Sequence, residues 1–134
     1  MKENQLNIAL LIMRSSLGIL MLLHGISKMN HGVEGIGSML EEKGLPSFIA
    51  YGVIIGEVIA PLFMIAGFRT KIAAGVFAFN MLVAVLLAHS ADIFALTDHG
   101  SWAIELQGLY FFGAVALMLT GGGKFGISSS NKWD

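Results

Sequence analysis

Residues 51–68, YGVIIGEVIAPLFMIAGF, contain no lysine or arginine and a single carboxylate, Glu57. This run constrains the fold most. It has the length and apolarity of a helix in hydrocarbon, where a carboxylate is costly unless it is paired or wet. The rest of the 134 residues suits the same solvent, being 55% hydrophobic and 13% charged, too much apolar surface for so small an interior to hide from water. A net charge of −1 with no basic run leaves nothing to attract nucleic acid. The absence of cysteine excludes a disulfide, a thiol nucleophile and a thiolate-held metal or iron–sulfur cluster, so redox chemistry requires a bound group. The first apolar segment follows Lys2 as a signal peptide would, but continues to about Ile26 without an A-x-A site and is expected to stay attached.

Four segments approach a membrane-spanning length, at about 7–28, 48–68, 71–90 and 102–120. The expected fold is all-α, an integral membrane four-helix bundle forming one domain. Met29 to Ser47 reads as a polar loop with an interfacial turn near Ile36–Leu40, and the short link at Arg69–Thr70 makes the second and third helices an antiparallel hairpin. Lys2, Arg69, Lys71, Lys124 and Lys132 lie on the side of the termini, against Lys28 and Lys43 on the other. The positive-inside rule therefore predicts cytoplasmic termini and a multi-pass protein of the inner (plasma) membrane.

Arg14 and Glu57 are the ionisable residues expected deepest in the spans, and the sequence pairs them. Pro61 lacks the N–H that would bond the Glu57 carbonyl four residues back, which places the carboxylate and the loosened turn in one polar interior. Glu57, Pro61, Met64 and Phe68 share a helical face beside a small-residue stripe, Gly52, Gly56 and Ala60, expected to pack against a neighbour. Arg14, Gly18, Met21, Gly25 and Lys28 form a stripe on the first helix with His24 at its edge. His24, Lys28, His89 and Glu105 fall in the outer halves of their spans and are expected to form a second polar cluster. Several readings stay open. The Arg14–Glu57 pair either fixes register or handles protons, and Lys28 either lines the cluster or snorkels to the headgroups. His24 and His89 are interface histidines or haem ligands, and a metal on His24, His89 and Glu105 has no supporting motif such as HExxH. Asn80 reads as interhelical glue.

The order Arg14, Leu17-Gly18, His24-Gly25, Lys28, Gly56-Glu57, Gly67-Phe68-Arg69-Thr70 and Glu105, then Gly121-Gly122-Gly123, resembles the DoxX family of small four-helix membrane proteins. Gly121, Gly123 and Lys124 fit the family's closing pattern; Phe125-Gly126-Ile127-Ser128 departs from it. The resemblance implies a subunit of a quinone-linked oxidoreductase, thiosulfate-to-quinone systems included, or a membrane anchor of an oxidative-stress complex. It makes Arg14, His24, Lys28, Glu57, Arg69 and Glu105 candidates. A quinone headgroup entering between helices would take donors from His24 or Lys28 and a proton relay from Glu57. On this reading Glu57, Arg14 and His24 are catalytic, while His24, Lys28, His89 and Glu105 bind the cofactor. The alternatives are a non-catalytic scaffold that docks a soluble redox enzyme through its tail, and a small proton-coupled transporter, which would require a homo-oligomer.

Overall fold

The computed structural model describes residues 2–134. Five helices follow one another: α1 (Lys2–His31), α2 (Glu34–Glu42), α3 (Ser47–Ala66), α4 (Thr70–Ala88) and α5 (Glu105–Thr120). No strand occurs among the described residues, only an isolated bridge between Leu96 and Trp102. Helices α1, α3 and α4 are long and apolar enough to cross a membrane, whereas α5 has 16 residues, about 24 Å at the α-helical rise. It begins at Glu105 rather than 102 because the preceding residues fold into a turn. The Trp102 indole donates to the Ile93 carbonyl at 2.6 Å, and the Ala103 N–H donates to Ala95. The expected polar loop after α1 holds a full helix, α2, whose Leu40 is buried against the bundle.

The burial pattern is that of a bundle in lipid. Asn7, Arg14, Gly18, Met21 and Gly25 form the buried stripe of α1, as the helical spacing predicts. Met64, Phe77, Ala114 and Leu117 meet them from the other helices. Leu23, Phe79 and Leu109 point outward with 62%, 67% and 70% of their surface exposed, which only a hydrocarbon surrounding makes favourable.

Close approach of α3 to α1 and to α4 depends on glycine. A Cβ on Gly25 would overlap the carbonyl oxygen of Glu57, and one on Gly56 would lie 2.5 Å from Asn80 Cβ. Gly52, expected in the same packing stripe, faces open space. Gly25→Leu and Gly56→Leu should each cost at least about 1–3 kcal/mol by overpacking and lower the melting midpoint in detergent. Gly52→Leu should leave the midpoint unchanged, and equal melting of all three variants would contradict this packing.

Helix α3 ends at Gly67, which takes the left-handed conformation (φ 72°) that favours glycine. Residues 121–134 then fold back over this end of the bundle. Ile127 and Ser128 donate their N–H groups to the carbonyls of Ala66 and Gly67, and Lys71 donates to Trp133. The Asp134 carboxylate accepts from the Arg69 N–H and guanidinium, the Ser128 hydroxyl and the Asn131 N–H. A carboxylate thus closes the amino end of α4, where orphan N–H groups and the helix dipole favour negative charge.

Burial alone would raise the Asp134 carboxyl. The hydrogen bonds from Ser128, Asn131 and Arg69 outweigh it and hold the group well below the usual carboxylate range. Since the folded value lies below the unfolded one, its contribution is complete above about pH 4 and is lost only as pH falls through the depressed value. The melting difference between the native chain and Asp134→Asn should therefore stay constant from pH 7 to about pH 4 and shrink in stronger acid. Disappearance of the difference already at pH 5 would contradict this role.

Candidate functional site

Antiparallel packing sets the register of α1 on α3. Gly25 abuts Glu57, Gly18 abuts Pro61 and Ile65, and Arg14 reaches Met64 and Ile65. Glu57 is therefore level with Gly25, eleven residues and about 16 Å along the axis from Arg14. No arginine side chain covers that distance, and the expected Arg14–Glu57 pair does not form. Arg14, 1% exposed, instead donates to four backbone carbonyls: Gly122 (3.1 Å), Met64 (3.0 Å), Ile65 (2.6 Å) and Phe125 (3.0 Å). Two of these lie in the last turn of α3, where carbonyls lack intrahelical partners and a cation is favoured. Arg14 joins α1, the end of α3 and the folded-back tail, and it lies outside the polar cavity.

The partner of Glu57 is Lys28. Its Nζ donates to both carboxylate oxygens, at 2.9 and 2.7 Å. The Glu57 side chain is 4% exposed and that of Lys28 is 42% exposed, so one charge is enclosed and the other reaches the cavity mouth. Glu57 occupies a π-helical turn, Ile55–Ile59, closed by the Ala60 N–H donating to Ile55. That turn lies just ahead of Pro61, whose missing N–H cannot sustain the α-helical ladder there. The freed Glu57 carbonyl meets Gly25 rather than another side chain.

The pair lines a partly open cavity of about 200 Å³ bordered by all five helices. His24, Lys28 and His89 of the expected outer cluster all line it, Glu57 enters in place of Glu105, and Asn80, Gln107 and Tyr110 join them. The remaining walls are apolar, with Met21, Met39, Val53 and Met81 among them. Tyr110 packs edge-on against the His24 ring, with centroids 6.2 Å apart and planes at 90°. Glu105 does not belong to this site. It stands exposed in the first turn of α5, a position that stabilises an acidic side chain through the helix dipole. The trio His24, His89 and Glu105 is accordingly not brought together, and no three His, Asp or Glu side chains converge among the described residues. His89 stands instead 3.6 Å from Asp92. Arg69, a candidate by resemblance, belongs to the tail closure.

Sequence reasoning missed Gln107 and Tyr110. The available signal was Gln107 itself, the lone amide in α5, which shares a helical face with Tyr110 and Ala114.

Comparison with known proteins follows the same residues. The DoxX family model matches residues 9–90, which include Arg14, His24, Lys28, Glu57, Asn80 and His89. A protein of Bacillus subtilis (strain 168) described as "Putative oxidoreductase CatD" is 34% identical over 79 residues, 59% of this chain and 58% of the relative. The match thus spans a little over half of the relative's length. No solved structure matches the chain. With the family model covering well over half of its residues, the chain belongs to the DoxX family.

Proposed function

We propose that this DoxX-family protein is the membrane subunit of a quinone-linked oxidoreductase and that the Lys28–Glu57 cavity receives the quinone head. The observation that carries this reading is an ion pair, its carboxylate enclosed, in a ring-sized cavity with a few further polar groups on largely apolar walls. A dry cavity near 150 Å³ admits benzene, and this one measures about 200 Å³. A few placed polar groups in an apolar pocket are what orient a small planar ligand. The name of the Bacillus subtilis relative supports the redox class.

A bound quinone supplies the acceptor of two electrons and two protons that this cysteine-free chain does not carry itself. When bound, the quinone would take those electrons from a partner enzyme oxidising a soluble substrate, and its ring carbonyls would be reduced to hydroxyls. Lys28 uses two N–H groups on Glu57 and keeps the third for a ring oxygen. His24 and Gln107, from α1 and α5, supply donors toward the second oxygen. Glu57 holds the Lys28 ammonium in place through both carboxylate oxygens and takes part in proton exchange beside the ring. Asn80, fixed against Gly56, adds an amide to the wall between α3 and α4.

Purification in mild detergent, with mass spectrometry of the extracted lipids, tests the assignment. A quinone near one per chain is expected. A protein that carries no quinone and binds none when it is added would contradict the proposal.

The charge bias supports cytoplasmic termini in a plasma-membrane protein. Lys43 and Lys124 are both exposed, at opposite ends of the bundle, in a chain without cysteine. In intact cells an impermeant thiol reagent should label Lys43→Cys and spare Lys124→Cys. The reverse pattern would invert the orientation.

A further inference from the structure

We propose that the groove between α3 and α4 holds the hydrophobic chain of the ligand whose head occupies the cavity, and that this chain enters there from the bilayer. The proposal rests on the quinone-head reading. The groove, about 130 Å³, runs from Ile49 and Gly52 on α3 to Val76 and Phe79 on α4, with Leu40 of α2 bordering it. It shares Ile36, Val53, Asn80, Val83 and Leu87 with the cavity, so the two adjoin across these side chains. Asn80, at the junction, is the only side chain lining the groove that carries a hydrogen-bonding group. A polar head has no partner beyond that point, whereas an alkyl or isoprenoid chain needs none.

The outer rim belongs to the lipid-facing surface, with Phe79 67% and Ile49 37% exposed. The apolar pocket between α4 and α5 is a poorer route. It meets the cavity only at Met81 and Gln107, and the Trp102 ring packs across it against Gly108. Gly52 explains why the α3–α4 groove is open. Gly56 is filled by Asn80, but a Cβ on Gly52 would meet nothing within 4 Å. The missing side chain leaves room for a ligand rather than for a neighbouring helix.

The test uses the full chain in phosphatidylcholine nanodiscs and two probes, a chain-less methoxyquinone ring and the same ring bearing a long isoprenoid chain. Binding is read by quenching of tryptophan fluorescence. The native protein should bind the long-chain probe at least tenfold more tightly than the bare ring. Gly52→Phe, and Val76→Phe from the facing wall, should abolish that difference while leaving bare-ring affinity and the melting midpoint unchanged. Retention of the tenfold preference in both folded variants would overturn the groove assignment. If the native protein binds the bare ring without any preference for the long chain, the groove fails and the head site stands. If it binds neither probe, the head site fails and the groove assignment with it.

Discussion

Arg14→Met is expected to undo the end of the bundle where the chain termini meet. The substitution removes four hydrogen bonds from a fully buried guanidinium and strands the carbonyls of Met64, Ile65, Gly122 and Phe125. Hydrogen bonds to a charged donor contribute about 1.5–3 kcal/mol each, and unpaired buried acceptors add to the cost, so the loss should exceed about 4 kcal/mol. Arg14→Lys should recover little, because an ammonium has three donors and lacks the planar fork that reaches two elements together. The checks are the melting midpoint in detergent and proteolysis of residues 121–134, which should become cleavable in both variants. A variant that melts like the native chain with a protected tail would contradict the role assigned to Arg14.

Glu57→Gln should show the opposite balance, a small loss of stability and a large loss of function. Lys28 is 42% exposed and regains hydration once its partner is neutral, so the cost is about 1 kcal/mol rather than the 3–5 kcal/mol of a fully buried pair. Proton exchange at the ring, however, requires an ionisable group, and loss of a positioned acid or base lowers rates by about 10² to 10⁴. Quinone reduction should fall by at least about a hundredfold in membranes from cells carrying the variant. Native rates would leave Glu57 as a structural counter-ion to Lys28.

These two residues show where the sequence was informative and where it was not. The apolar runs located α1, α3 and α4, and the spacing of Gly18, Met21 and Gly25 identified the buried face of α1. The grouping of His24, Lys28 and His89 was legible because all three follow from position near the ends of their spans. The partner of Glu57 was misassigned because depth was counted from hydropathy boundaries. That procedure aligned residue 14 with the middle of α3, whereas α1, at 30 residues, overshoots, and its Arg14 sits level with the last turn of α3. Residue types on one chain do not report such an axial offset. The Gly25–Glu57 contact sets it, and that is a property of the packed pair.

The tail was unreadable for a different reason. Its closure rests mainly on backbone groups, the carbonyls of Gly122 and Phe125 and the N–H groups of Ile127 and Ser128, which carry no sequence signature. Phe125-Gly126-Ile127-Ser128, which reads as an irregular tail, serves a physical need that its residue types do not announce, the capping of the end of α3. Gly126 lies against Gly67, where a Cβ would collide with backbone. The tail is thus folded onto the bundle, and a soluble enzyme docking there would meet this packed, outward-facing surface rather than an extended segment. Glu105 was drawn into the polar cluster by its depth alone, yet the turn at Ser101–Ile104 places it on the exposed first turn of α5.

The central claim, that the Lys28–Glu57 pair exists to bind a quinone head rather than to hold the bundle together, is tested most directly by removing both charges at once. Lys28→Met with Glu57→Met replaces the pair by apolar side chains of similar volume, a change that leaves stability near native or raises it. The measurement is the affinity of the folded double variant for a short-chain quinone in nanodiscs, beside its melting midpoint. The account predicts a midpoint close to that of the native protein and an affinity lowered at least tenfold. A folded double variant that binds the quinone as tightly as the native chain would contradict it.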